Sequence, residues 1–503
     1  MTKPLGVLLR TVPGLPFGRC EGVSVTGIEI DSRRVEARNL FVALRGLRDD
    51  GTAFVAEAVR RGAGAVLLPA GCFPPSGVAG MLVDNPRAAL AAVASAFYGH
   101  PSRDVRVMGV TGSNGKTTVA YMLTQILEAG GRRTGYWTTN EVSSGARRFR
   151  PALTTPEAHD MQRFLREVRD AGMAHACIEV SSHAAAQQRI AGVRFAVGMV
   201  TPVTPDHLDY HGTFEAYLAA KRSFIEGLPP DAVCVYSADD PGACRVAEGA
   251  GCTALPCGFG PGAAIRGAEV RIHAGAAECA VGGAQALGPG GPLRLKIPVT
   301  GRHNLQNALV ALGAALAAGV PAERALEALA RFRPPPRRLR IRRVGVYTLI
   351  DDVAMNEASF DAVCAAVAEL DFPQLVVVVA LRGNRGPGVN AAIAASLARW
   401  NRRLGFAPLI VSQSRAAVAR YSLDYRVRSE EVQAFEAAAA GAGLPVRLFG
   451  ELADAIAAGT GRLRPGGALL LLGTFGMDEG PALAAGALGA TDGAERFPPP
   501  TRG

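Results

Sequence analysis

Short apolar runs separated by amphipathic stretches recur along almost the whole chain. Residues 23–30 (Val23-Ser24-Val25-Thr26-Gly27-Ile28-Glu29-Ile30) alternate apolar and polar positions, the period of a half-buried strand. Residues 40–44 and 65–68 predict two more strands, with a helix over 54–61 between them. Asn85-Pro86-Arg87 opens a further helix through Phe97, because Asn caps free backbone N–H groups and Pro suits a first helical position. From about residue 102 apolar strands (176–180, 197–200, 232–236) alternate with helical stretches (159–171, 214–225), which predicts a mostly parallel sheet covered by helices. Residues 258–292 break that rhythm with Gly and Ala and short alternations, as in a β-meander or loop excursion. Helices follow over 304–318 and 321–331. Pro334-Pro335-Pro336 then stiffens the chain and ends any helix, marking a linker. Beyond it, strands over 347–350, 375–380, 408–411 and 468–472 alternate with helices, and the Ala/Gly/Pro-rich tail from Gly480 is expected to be partly disordered. The pattern predicts an α/β protein of three domains: a small α/β unit (1–101), a central, mostly parallel unit (102–333) and a Rossmann-like α/β unit (334–503).

One junction in this pattern carries chemistry. The apolar run ending at Val110 leads through Thr111-Gly112-Ser113-Asn114-Gly115-Lys116-Thr117-Thr118 into a helical stretch. Strand, glycine loop and helix form a phosphate cradle: backbone N–H groups and the helix N-terminus face the anion. Lys116 would neutralise the β- and γ-phosphates, and the Thr117 hydroxyl could join a Mg²⁺ shell. Of 54 basic residues only four are Lys (Lys3, Lys116, Lys221 and Lys296), so a chain that uses Arg almost everywhere keeps Lys in this loop.

Composition narrows the class. A net charge of +10 points toward anionic ligands, but the arginines are dispersed and no aromatic-interleaved basic stretch is present, which argues against nucleic acid. Nine scattered Cys without C-x-x-C spacing fit reduced thiols in the cytoplasm. No signal peptide or membrane-length apolar run is seen in the sequence.

Three further segments place acid, imidazole and amine groups after the phosphate loop. Glu179-Val180-Ser181-Ser182-His183 ends a strand, where open parallel sheets bind ligands. Asp206-His207-Leu208-Asp209-Tyr210-His211-Gly212 follows the next strand, and Lys221 lies in the helix after that. With Thr154-Thr155-Pro156-Glu157-Ala158, Gln188-Arg189 and Gly301-Arg302-His303-Asn304-Leu305-Gln306-Asn307, these runs resemble the Mur ligases, most closely the members that add a third amino acid to a UDP-N-acetylmuramoyl-dipeptide. Glu29 to Arg33 and Leu40 to Gly46 resemble that family's uridine-nucleotide domain. The resemblance implies ATP-dependent joining of a carboxylate to an amine through an acyl phosphate, by a monomer acting on small molecules. It implies ATP contacts from Gly112, Asn114, Gly115, Lys116, Thr117, Thr118, Asn304, Arg338 and Asp352. It places Mg²⁺ on Thr117, Glu179, His207 and Lys221, the last as a carbamate, with Lys116, Glu179, His207 and Lys221 as the catalytic set. It assigns substrate contacts to Ser32, Thr154, Thr155, Ser182, Arg189 and Arg415. Arg could not replace Lys221, because only a neutral primary amine is carbamylated.

The third domain departs from the family pattern. An Asp-Tyr-Ala-His-Asn-Pro run reads Asp352-Val353-Ala354-Met355-Asn356-Glu357, Gly-Asp-Arg reads Gly383-Asn384-Arg385, Asp-Asn-Pro-Arg reads Ser412-Gln413-Ser414-Arg415, and the Gly-Lys-Gly-His-Glu segment is replaced by Gly473 to Glu479. In the middle domain, Thr-Asn before the Asp-His-Leu-Asp run reads Thr201-Pro202. An intact ATP machine with a rewritten amine pocket predicts an altered amine substrate; a non-catalytic nucleotide-binding partner or regulator is the alternative.

Overall fold

The computed structural model describes residues 1–46, 49–283, 293–421 and 425–489. Among the described residues three main sheets follow one another along the chain, with a two-stranded pair beside the first. The first has five strands, with Gly27–Glu29, Asn39–Val42, Ala65–Pro69 and Ala79–Val83 parallel and Leu15–Phe17 antiparallel at its edge. The single strand expected over 23–30 is divided. Ser24–Val25 pairs with Lys3–Pro4 and Gly27–Glu29 with Asn39–Phe41, while between them the Thr26 N–H turns to the Arg38 carbonyl. The Asn85 side chain caps the Ala88 N–H ahead of helix Pro86–Phe97, as expected.

The central sheet has eleven strands. Arg106–Thr111 lies within its parallel part between His175–Glu179 and Phe195–Val200, and it buries every residue after Arg106. Such doubly covered strands are continuous apolar runs, because both faces meet helices. The Gly-rich excursion is a meander: Ile265–His273, Ala276–Gly282 and Leu293–Ile297 pair antiparallel, and residues 284–292 lie outside the described residues. Helices Lys116–Ala129 and Arg302–Ala317 pack together on the main core, with twelve of the latter helix's residues buried.

The third sheet has six strands in a mostly parallel order, with Ala468–Leu472 between Tyr347–Asp352 and Leu375–Ala380. The tail expectation is corrected in part: Gly480–Ala487 is a helix that buries Ala484 and Ala485, because its small apolar residues pack on the sheet. The remainder of the tail, from residue 490, lies outside the described residues. Two left-handed residues, Arg337 (φ 58°) and Leu339 (φ 47°), turn the chain after the prolines. Just before them the Gln125 side chain donates to the Arg333 carbonyl at 2.8 Å and accepts from the Arg333 N–H at 2.9 Å. No helix among the described residues is long and apolar enough to cross a membrane.

Candidate active site

The phosphate loop is shaped by two glycines that admit no side chain. A Cβ at Gly112 (φ 141°) would lie 1.9 Å from the Thr201 hydroxyl, and one at Gly115 (φ 92°) 2.3 Å from the Asn307 amide oxygen. The loop therefore closes tightly onto the next strand end and onto helix Arg302–Ala317. Lys116 folds back over it, donating from Nζ to the carbonyls of Gly112 and Ser113, each at 3.0 Å. Burial lowers its pKa, a cost that a bound phosphate would offset.

Parallel pairing brings the next two strand ends beside this loop. The Thr117 hydroxyl donates to Glu179 Oε1 at 2.8 Å, and Glu179 also accepts from Thr139 N at 2.9 Å and Thr139 Oγ1 at 3.0 Å. Thr139, absent from the sequence-derived set, follows strand Thr134–Trp137, the neighbour of the Glu179 strand. Its position just beyond a parallel strand end was the available signal. Thr155 holds the Glu179 main chain through a 2.7 Å bond to its carbonyl, and Thr154 meets Thr139 at 3.1 Å. Arg189 pairs with Glu157 at 3.0 Å and donates to the Thr155 carbonyl at 3.3 Å. Ser182 and His211 Nε2 lie 3.0 Å apart.

Lys221 lies beneath the loop. Its Nζ is fully enclosed, donates to the Gly112 carbonyl at 2.7 Å, and sits 4.5 Å from the Tyr217 ring centroid. Burial, then the Lys116 charge, pushes its pKa well below the ordinary lysine value. The histidine of the next run, His207, stacks edge-on against His183 at 4.8 Å, and burial with Arg385 nearby keeps it neutral.

The third domain closes over this set through a chain of polar contacts. Asn114 donates to Asn356 at 3.0 Å, Asn356 donates to Asp206 at 3.1 Å, and Asp206 is ion-paired with Arg385. Burial alone would raise the Asp206 carboxyl, but Arg385 foremost, with Lys116 and the Asn356 hydrogen bond, holds it well below the usual range. Arg338 crosses from the hinge to the Thr117 hydroxyl at 3.1 Å.

Most of these groups line a cavity of about 470 Å³ between the central and third domains. Of the expected residues, Asn114, Gly115, Lys116, Thr117, Thr154, Thr155, Glu179, Arg189, His207 and Arg338 face it. Gly112, Thr118, Ser182 and Lys221 lie outside its lining, with Lys221 buried against the Gly112 carbonyl. The structure does not bring the others to this cavity. Asn304 is buried and donates to the Thr300 carbonyl at 2.8 Å; Asp352 accepts from the Leu339 N–H at 2.8 Å; Ser32 bonds Glu57 at 2.7 Å within the first domain. Arg415 is exposed and donates to the Gln413 side chain at 3.0 Å. The third-domain wall consists instead of Arg382, Arg385, Tyr421, Tyr425, Phe475 and Asp478, along with neighbouring loop residues. A larger cavity of about 850 Å³ is lined by the hinge prolines, Tyr121 and Tyr136, and includes none of the loop residues that could bind phosphate.

This geometry agrees with what the chain is similar to. Residues 110–315 match the Mur ligase middle domain and residues 24–98 the Mur ligase family catalytic domain. A UDP-N-acetylmuramyl-tripeptide synthetase from Roseiflexus sp. is 37% identical over 384 residues, covering 72% of this chain and 74% of the relative. The chain belongs to the Mur ligase family. A UDP-N-acetylmuramoyl-L-alanyl-D-glutamate–2,6-diaminopimelate ligase from Brucella melitensis is 33% identical over 475 residues, 92% of this chain and 91% of that one. Among solved structures, MurF from Acinetobacter baumannii superposes with TM-score 0.71 at 20% identity over 97% of this chain and 99% of that one, which shows the shared three-domain fold. MurF from Thermotoga maritima in complex with ADP superposes with TM-score 0.67 at 18% identity, over 92% of this chain and 98% of that one. Mur ligases are ATP-dependent amide-forming enzymes, and this membership favours the ligase over the non-catalytic alternative.

Proposed function

We propose that this Mur ligase joins the carboxylate of a UDP-N-acetylmuramoyl-dipeptide to an amine other than the diaminopimelate or lysine of ordinary wall synthesis. One observation supports this most: a complete phosphoryl-transfer cluster (Lys116, Thr117, Glu179, Thr139) faces a third-domain wall built from different residue types. The substrate carboxylate attacks the γ-phosphorus and ADP leaves. The amine then attacks the acyl carbon, releases phosphate and loses a proton. Lys116 and Arg338 stabilise charge on the phosphoryl oxygens, and the loop N–H groups hold the chain of phosphates. Thr154, Thr155 and Arg189 position the carboxylate partner near Glu179, and Ser182 acts through His211.

The residues present fit magnesium. A hydroxyl and a carboxylate, Thr117 and Glu179, are already 2.8 Å apart beside the loop, and oxygen donors of this kind suit a hard cation. They would hold one ion, and His207 with carbamylated Lys221 would serve a second; bound Mg²⁺ supplies charge neutralisation at the phosphates. Lys221 fits the carbamate because burial leaves its amine neutral, the form that adds CO₂ with loss of a proton.

The test replaces the amine with hydroxylamine. Enzyme, ATP, Mg²⁺ and UDP-N-acetylmuramoyl-L-Ala-D-Glu should yield ADP and a UDP-linked hydroxamate. ATP binding without hydroxamate would refute the reading.

A further inference from the structure

The third-domain wall is aromatic near the segments where the sequence leaves the family pattern. Tyr425 and Phe475 stack with centroids 4.3 Å apart at 11°, and Tyr421 packs on Phe475 at 4.8 Å. The Arg382 guanidinium lies over both stacked rings, 4.8 Å from Tyr425 and 5.1 Å from Phe475. Its buried Nε has no hydrogen-bond partner, and no carboxylate among the described residues is paired with it. Burial, with Arg385 nearby, pulls this guanidinium down to about 9, while Asp206 and Asp209 act in the opposite direction without pairing with it.

The other charges on this wall are occupied. Asp478 accepts from Arg150 at 2.8 Å, from Arg337 and from the Tyr421 hydroxyl. Arg420 is paired with Glu479. Among the described residues this third-domain wall offers no open carboxylate to a distal ammonium, the exposed Asp209 lying on the central-domain side of the cavity, and a ligand bearing a distal carboxylate would not meet Arg415, which is exposed and hydrogen-bonded to Gln413. A charged end buried without a partner is strongly disfavoured. Apolar carbon against three rings is favoured.

We infer that the amine is an amino acid with an uncharged, apolar or aromatic side chain, whose carboxylate is held by Arg382 and whose side chain packs on Tyr421, Tyr425 and Phe475. The inference rests on the ligase reading above. A guanidinium stacked on rings keeps its edge free, and that edge matches a planar carboxylate through two parallel hydrogen bonds. The phosphates have their own partners across the cleft in Lys116, Arg338 and the loop.

The experiment gives full-length enzyme ATP, Mg²⁺, bicarbonate, UDP-N-acetylmuramoyl-L-Ala-D-Glu and equimolar L-phenylalanine, L-leucine, L-lysine and meso-diaminopimelate, and reads product masses. Phenylalanine or leucine adducts should exceed the charged ones by about 100-fold. Dominance of the lysine or diaminopimelate adduct overturns the inference. So does the absence of any adduct when hydroxylamine still gives hydroxamate, since the acceptor is then no amino acid. Absence of hydroxamate removes the ligase reading along with the inference. With the favoured amino acid, Arg382→Met should raise its KM about 30-fold while kcat falls less, and Arg382→Lys should recover part of that loss. A raised KM for ATP with an unaltered KM for the amino acid would place Arg382 on the phosphates and overturn its assignment.

Discussion

The two walls of the cleft are built by different rules. On the central-domain side the functional groups hold one another: Thr117 and Thr139 hold Glu179, Thr155 holds the Glu179 backbone, and Lys116 is tied to the loop it serves. On the third-domain side the contacts are stacked rings beneath one guanidinium that is ion-paired with no carboxylate among the described residues. A phosphate chain has one shape in every reaction of this kind, so a rigid polar network can be preorganised around it. An acceptor amine differs from one ligase to the next, and the wall that meets it can be rebuilt without disturbing the phosphoryl site. The halves of one active site thus carry separate constraints, and they are joined where Asn356 and Arg338 touch the phosphate loop and where Arg385 and Asp478 pair with Asp206 and Arg150 of the central domain.

The comparison breaks most visibly at the loop. Lys116→Met should lower kcat about 10³-fold with the fold retained by circular dichroism, since it removes the cation aimed at the transferring phosphoryl group. Lys221→Arg should cost about 10²-fold while leaving ATP binding measurable by calorimetry, and added formate should partly restore Lys221→Ala. Unchanged turnover in Lys221→Arg would reduce Nζ to a strut for the Gly112 carbonyl.

Asn356→Asp tests the junction of the walls. It sets a second carboxylate against buried Asp206 and should lower kcat/KM about tenfold, with less compaction by small-angle scattering when ATP analogue and acyl substrate are added. Full activity and full compaction would show that the junction is incidental.

A control far from both walls comes from the first domain. Burial raises Glu29 from 4.5 to about 7. Between those values the unfolded chain has lost the proton that the folded chain keeps, so stability falls as pH rises through this window and levels off above 7. Glu29→Gln should therefore add about 1 kcal/mol in denaturant unfolding at pH 8 and nothing at pH 4, with kcat unaffected. An equal gain at both pH values would rule out the titration.

The three sheets and the phosphate loop were legible because each rests on local pattern: apolar runs, capping residues and glycines that must accept φ values near 92° and 141°. Glu179 and Lys221 were legible through resemblance. Thr139 was not, since a lone threonine after a strand gains meaning only when the parallel register sets it beside Glu179. Arg382, Tyr421, Tyr425 and Phe475 come from three separate segments, and no spacing links them. Asp352 and Arg415 align with family positions, yet here one braces the Leu339 N–H and the other is exposed, hydrogen-bonded to Gln413 and outside the cavity lining.

The turn after the prolines has a mechanical meaning. Arg337 and Leu339 both occupy left-handed φ values, each costing about 1–2 kcal/mol for an L-residue. The coil is kept wound by Arg337, clamped to Asp351 at 3.1 Å and to the Gly473 carbonyl at 2.6 Å, and by Asp352 gripping Leu339. Gln125 anchors its near end at Arg333. The joint therefore works as a clamped bend, its strained turn held by contacts from the third domain's own sheet.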